Sequence, residues 1–223
     1  MTQLRAVVFD LDGTLVDTWD VHASCLRKVT TDLGDGPSSL VHLFRAQRPT
    51  DIGTLGALVG PERAESALLS YGAALRELLR AISPRPVGGA VEAVNELRRT
   101  GVAVGVCTGR SREDAQALLD ASGLAVSLTV TREDAPPKPE PDALLLALRG
   151  LAVSPHEALF VGDSEWDRQQ GQAAGVRTLV VRRERLSVEL LTTFWATAGV
   201  HEAGTATPAA SPDRSESEEV RHD

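Results

Sequence analysis

Apolar runs of strand length alternate with helical stretches along most of this 223-residue chain, and that alternation constrains the fold more than any other feature. Residues 6–9, 102–107, 127–130, 158–161 and 177–181 are short, apolar or β-branched, and bounded by turn signals, as buried strands are. Residues 89–100, 111–122, 142–149 and 165–174 carry helical patterns, and Glu113 and Asp114 stand in a first turn where the helix dipole favours acidic groups. Repeated strand, crossover, strand predicts an α/β fold, a parallel sheet with helices on both faces.

Residues 17–84 break the alternation, because nothing in them has strand character. The spacing predicts a helix over 17–33, with Asp17 or Thr18 as its cap and Gly34-Asp35-Gly36-Pro37 as its stop. One or two short helices interrupted by Pro49 are expected over 38–58, and a longer one over 61–82 with proline in its first turn. Ser83-Pro84-Arg85-Pro86 then punctuates the chain. The expected organisation is a core of residues 1–16 and 85–200, an inserted helical segment of residues 17–84, and a disordered tail at 201–223 composed of Ala, Thr, Pro, Ser and Glu. An amphipathic segment at 187–198, anchored by Phe194 and Trp195, is expected to pack back on the core.

Composition narrows the function classes. A net charge of -8 argues against a nucleic-acid or anionic-membrane binder, which normally presents a basic face. Cys25 and Cys107 lie far apart in apolar contexts and read as two reduced thiols. No stretch resembles a signal peptide or approaches membrane-spanning length, so a reducing cytoplasm is the expected compartment. Arginine supplies nearly every cation, the only lysines being Lys28 and Lys138.

In open parallel sheets, ligands sit beyond the carboxyl ends of the strands. Here the first strand runs into Asp10-Leu11-Asp12-Gly13, the second into Thr108-Gly109-Arg110, the third into a proline-rich loop holding Lys138, and the fourth into Gly162-Asp163. Residues i and i+2 of a strand share a side, so Asp10 and Asp12 can present two carboxylates together, and crowded carboxylates call for a proton or a hard cation such as Mg²⁺. Asp-Gly after an apolar run is equally a hairpin turn signal, Thr108-Gly109 a strand exit, Gly162-Asp163-Ser164 a helix cap, and Asp167 a surface helix residue. The fold brings all four strand ends to one rim, and a chain that prefers arginine has kept a compact point charge at Lys138 between prolines.

This set closely resembles the haloacid dehalogenase-like superfamily, whose phosphatases carry Asp-x-Asp-Gly-Thr, a strand-end Thr or Ser, a lysine, and Gly-Asp-x-x-x-Asp. Here these are Asp10-Leu11-Asp12-Gly13-Thr14, Thr108, Lys138 and Gly162-Asp163-Ser164-Glu165-Trp166-Asp167. The resemblance runs from about Val7 to Val181 and implies a Rossmann-like core with a helical cap inserted between the first and second motifs. It implies that Asp10 is the nucleophile that forms an aspartyl-phosphate and that Asp12 is the acid/base. Mg²⁺ would be held by Asp10, Asp163 and the backbone carbonyl of Asp12. Thr108, Gly109, Arg110, Lys138, Gly13 and Thr14 would surround the phosphoryl group, with Asp167 in support of Lys138 or a metal-bound water. His22 lies where cap-carrying sugar-phosphate members place a histidine, and Trp19, Arg45 and Arg48 are further candidates for leaving-group contact.

An aspartate at position 12 points to a phosphate ester rather than a haloacid as substrate. The expected activity is Mg²⁺-dependent hydrolysis of a small-molecule phosphomonoester by a monomer or homodimer. The closest enzymatic alternative is a phosphomutase of the β-phosphoglucomutase type, which uses the same aspartates. A receiver-like phospho-acceptor is the alternative from another class, but receivers place the accepting aspartate on a middle strand and the lysine last.

Overall fold

The computed structural model describes residues 3–35, 39–181 and 185–197; the predicted tail at 201–223 lies outside them. Five parallel strands form the main sheet: β1 (Ala6–Phe9), β4 (Ala103–Cys107), β5 (Leu128–Val130), β6 (Ala158–Gly162) and β7 (Arg177–Val180), in the order β5-β4-β1-β6-β7. β1 is central, with Val7 opposite both Val104 and Leu159. All four of its residues are fully buried, which accounts for a continuous apolar run where a half-exposed strand would alternate.

The period of two along β1 divides the core. Val7 and Phe9 pack with Val104, Val106, Leu159 and Val161 on one face, under α5 (Ala90–Arg99), α6 (Arg112–Ser122) and α9 (Val188–Thr197). Ala6 and Val8 pack with Phe160 and Val130 on the other, under α7 (Asp142–Gly150) and α8 (Glu165–Ala174). Sequence signals mark the ends of α6 and α8. Ser111 caps α6 by accepting from the Asp114 amide at 3.1 Å, and Gly123 and Gly175 take left-handed conformations at the ends of α6 and α8. Trp195 of α9 is buried as expected and stacks under the Arg177 guanidinium at 4.2 Å.

The insert is helical: α1 (Trp19–Asp32), α2 (Leu40–Ala46), α3 (Asp51–Val59), a single 3-10 turn at Pro61–Arg63 and α4 (Ala64–Ala81). Two features differ from the sequence expectation. A two-residue strand β2 (Val16–Asp17) pairs antiparallel with β3 (Arg85–Pro86), forming a ribbon where the chain enters and leaves the insert. Elements this short fall below any periodicity that sequence can show. Thr18 precedes α1 but does not cap it, because its hydroxyl is engaged by Asp12. Among the described residues, no helix is long and apolar enough to cross a membrane. Both cysteines are free and buried.

Candidate active site

β1 delivers Asp10 to the carboxyl edge of the sheet, where its amide donates to Val161 O at 2.8 Å and its side chain is buried. The chain then turns sharply: the Gly13 amide donates to Val16 O at 2.8 Å, with Gly13 at φ +73°. That conformation favours glycine, and an idealised Cβ there would stand 2.1 Å from Asp163 Oδ2, so only glycine lets the turn lie against the aspartate. The Asp-Gly that might have closed a simple hairpin instead directs the chain into β2 and the insert.

Lys138 reaches Asp10 Oδ1 at 2.5 Å and Asp167 Oδ1 at 2.6 Å. Burial opposes its charge, but Asp10 and then Asp167 outweigh burial and hold its pKa above the usual lysine range. Asp167 sits in the first turn of α8, fully buried, and its Oδ2 accepts from the Ser164 amide at 3.0 Å and from the Ser164 hydroxyl. This reciprocal capping fixes the carboxylate that faces Lys138. Asp10, Asp163 and Asp167 offer carboxylate oxygens that all lie within 4.8 Å of one another, a group able to hold a metal ion. Burial and then Asp167 push Asp163 up to about 6, as expected of carboxylates crowded around a single lysine.

Asp12 faces another way. Arg110 grips its carboxylate as a fork, Nε donating to Oδ2 at 2.9 Å and Nη2 to Oδ1 at 2.7 Å, while the Thr18 hydroxyl donates to Oδ1 at 2.5 Å. Burial would raise the Asp12 pKa, but Arg110 and Thr18 outweigh it and hold the carboxyl at about 2. Thus the carboxylate set that can meet a cation is Asp10, Asp163 and Asp167, and the Asp12 side chain is separate from it.

The rest of the Arg110 guanidinium enters the seam between core and insert. Its Nη1 donates to the Tyr71 hydroxyl at 2.6 Å and lies 3.5 Å from Asp51 Oδ1. His22 Nδ1 stands 2.6 Å from the same hydroxyl, and the two rings meet edge to face. Burial, reinforced by Arg110, lowers His22 to about 3, so its imidazole is neutral. The Gly109 Cα passes directly under the insert, where an idealised Cβ would lie 2.0 Å from Pro49 O. The Thr108 hydroxyl accepts from the Arg110 amide at 3.2 Å, and the buried Thr14 hydroxyl has no hydrogen-bond partner.

The structure thus brings Asp10, Asp12, Gly13, Thr108, Gly109, Arg110, Lys138, Asp163 and Asp167 to one rim and adds His22 from α1. Three candidates of the insert remain outside that set. Arg48 is exposed and donates to the carbonyls of Arg45, Ala46 and Gln47 at the end of α2, and Arg45 is exposed as well. Trp19 packs edge-on to Phe44 at 5.9 Å. Tyr71, Asp51 and Arg132 were not singled out from sequence. Tyr71 carried one signal, being the only tyrosine in the chain and placed on a helix; the two charged residues carried none.

A haloacid dehalogenase-like hydrolase family model matches residues 4–175, and the chain belongs to that family. It is a hydrolase of the phosphatase type. It is 32% identical over 190 residues to phosphoglycolate phosphatase of Rhodospirillum rubrum, covering 79% of each protein. It is 30% identical over 198 residues to N-acetylmuramic acid 6-phosphate phosphatase of Pseudomonas aeruginosa, covering 81% of this chain and 82% of the relative. Its fold matches the crystal structure of β-phosphoglucomutase from Clostridium difficile with a TM-score of 0.77 at 17% identity, over 89% of this chain and all of the other.

Proposed function

We propose that this protein hydrolyses a small-molecule phosphomonoester in two transfers, with Asp10 as nucleophile. The observation that carries this reading is the buried Asp10 carboxylate held by Lys138 at 2.5 Å beside the Asp163 and Asp167 carboxylates. A phosphate dianion repels an anionic nucleophile, so the site has to neutralise the phosphoryl oxygens before attack. Three clustered carboxylates against one lysine leave an excess of negative charge that suits a divalent cation. Mg²⁺ would be held by Asp10 and Asp163, with the Asp12 backbone carbonyl and Asp167 in support, and would neutralise phosphoryl charge when bound.

In the first transfer an Asp10 oxygen bonds to phosphorus as the bond to the leaving oxygen breaks, giving an aspartyl-phosphate and an alcohol. Asp12 gives a proton to the leaving alkoxide. In the second, Asp12 takes a proton from a water that attacks phosphorus, releasing inorganic phosphate and regenerating Asp10. On the Arg110 fork Asp12 is a carboxylate, the form that accepts a proton; to donate one it has to turn off that fork. Lys138, the Thr108 hydroxyl and the Gly109 amide steady the phosphoryl oxygens.

Purified protein with Mg²⁺ is expected to release inorganic phosphate from a panel of small phosphomonoesters. Asp10→Asn is expected to lower kcat by roughly 10⁴-fold or more. Full activity in that variant, or in excess chelator, would overturn the mechanism.

A further inference from the structure

We infer that Asp51 and Arg132 together bind a hydroxyl group of the leaving alcohol, so that the site selects monoesters of neutral, hydroxylated alcohols over monoesters of carboxylated ones. This rests on the phosphatase reading of the site and adds its selectivity.

Asp51 opens α3 and is only 6% exposed. Its Oδ1 is 3.5 Å from Arg110 Nη1 and 3.9 Å from His22 Nδ1. Its Oδ2 is buried without a hydrogen-bond partner and stands 3.9 Å from Arg132 Nη1, itself buried and without one. At that separation the two atoms do not hydrogen-bond each other. Buried polar atoms are nearly always satisfied, so an orphaned acceptor facing an orphaned donor points to a third group between or beside them. A hydroxyl is the smallest organic group that donates to one and accepts from the other.

The pair adjoins the reacting groups. The Arg132 amide donates to Arg110 O at 3.1 Å, and Arg132 lines a cavity of about 10 Å³ with Thr108, Gly109 and Lys138. Pro49 and Thr50, which lead into Asp51, lie directly on Gly109. Arg110 joins Asp51 to Asp12, the residue that serves the leaving oxygen, so the pair stands on the leaving-group side.

Charge excludes an acidic leaving group. Arg110 and Arg132 are met by Asp12 and Asp51, and Glu133 lies a further 3.6 Å from Arg132 Nε. His22 is neutral. Arg110, Arg132 and Lys138 each already face a carboxylate, and Asp51 would repel another.

The test compares kcat/KM with Mg²⁺ for glycerol 1-phosphate, for propyl phosphate, which lacks the hydroxyls, and for phosphoglycolate. The natural protein is expected to favour glycerol 1-phosphate over each of the others by about tenfold or more. Asp51→Ala and Arg132→Ala are expected to bring the glycerol-to-propyl ratio near one, chiefly through KM, with Asp51→Asn retaining part of it. A flat ratio in the natural protein, or phosphoglycolate as the best of the three, overturns the inference. So does an unchanged ratio in both alanine variants with only a lowered melting temperature, which would mark the pair as structural. Should those variants fail to fold, the natural protein's ratio and Asp51→Asn decide. Phosphate release with a flat ratio defeats this inference alone, whereas no release from any ester defeats the phosphatase reading as well.

Discussion

Asp51 shows how one side chain can carry tension between stability and function. Burial raises its pKa to about 6, with Arg110 pulling the other way and Asp12 and Asp114 adding to the rise. A folded value above the ordinary carboxylate value means that the native state binds the proton more tightly than the unfolded chain. The stability this confers is present below about pH 4 and is lost as pH rises through 6. Asp51→Asn removes that loss, so the variant is expected to be more stable than the natural protein at pH 8 by up to about 3 kcal/mol. The difference should vanish near pH 4. Thermal melts across that range check it, and a difference independent of pH would refute it. Arg110 carries the opposite expectation. It is buried and serves Asp12, Tyr71 and Asp51 at once, so Arg110→Ala strands buried acceptors and is expected to destabilise the fold by about 3 kcal/mol or more in denaturant titration.

Between elements, the decisive contact is the loop after β4 against the chain leading into α3. Gly109 has ordinary backbone angles, so its role is spatial: Pro49 O occupies the place of a side chain. Gly109→Ala is expected to push the insert off the loop while leaving the core intact. The fall in kcat/KM should be about ten- to a hundredfold, with stability changed by about 1 kcal/mol, because a seam between two packed units yields more readily than a core. Steady-state kinetics beside a melting curve separate the two effects; a large loss of stability with unchanged kinetics would contradict this. The strands and helices of the core were legible in sequence because the strands are short apolar runs between turn signals and the helices carry a helical period, with Ser111 and Ser164 as side-chain caps. Gly162-Asp163-Ser164 read as a helix cap, and it is one: capping by Ser164 fixes Asp167 toward Lys138. The ribbon of β2 and β3 was not legible, since two residues show no alternation.

For the whole molecule, the parallel sheet gathers groups from four loops at one end, and around Lys138 they form a cluster of three carboxylates, Asp10, Asp163 and Asp167. Mg²⁺ is therefore expected to raise the melting temperature, by linkage to the folded state alone. Asp163 takes up a proton as pH falls through about 6, so the shift should shrink below that pH as protons compete with the metal. A shift that persists undiminished at pH 5, or none at pH 8, would count against the assignment of these carboxylates to a cation.

The sequence by itself marked the five strands of the main sheet and, beyond their ends, Asp10, Asp12, Thr108, Lys138, Asp163 and Asp167. Periodicity, turns and caps are local, and the rule that ligands meet parallel strands at their carboxyl ends is general. Only the tertiary structure decided that Asp12 is gripped by Arg110, 98 positions away, and that Arg110 in turn meets Tyr71 and Asp51 of the insert. Those pairings follow from how the insert seats on the core. They depend on distances of a few ångströms between segments far apart in the chain, and neither spacing nor composition encodes such distances.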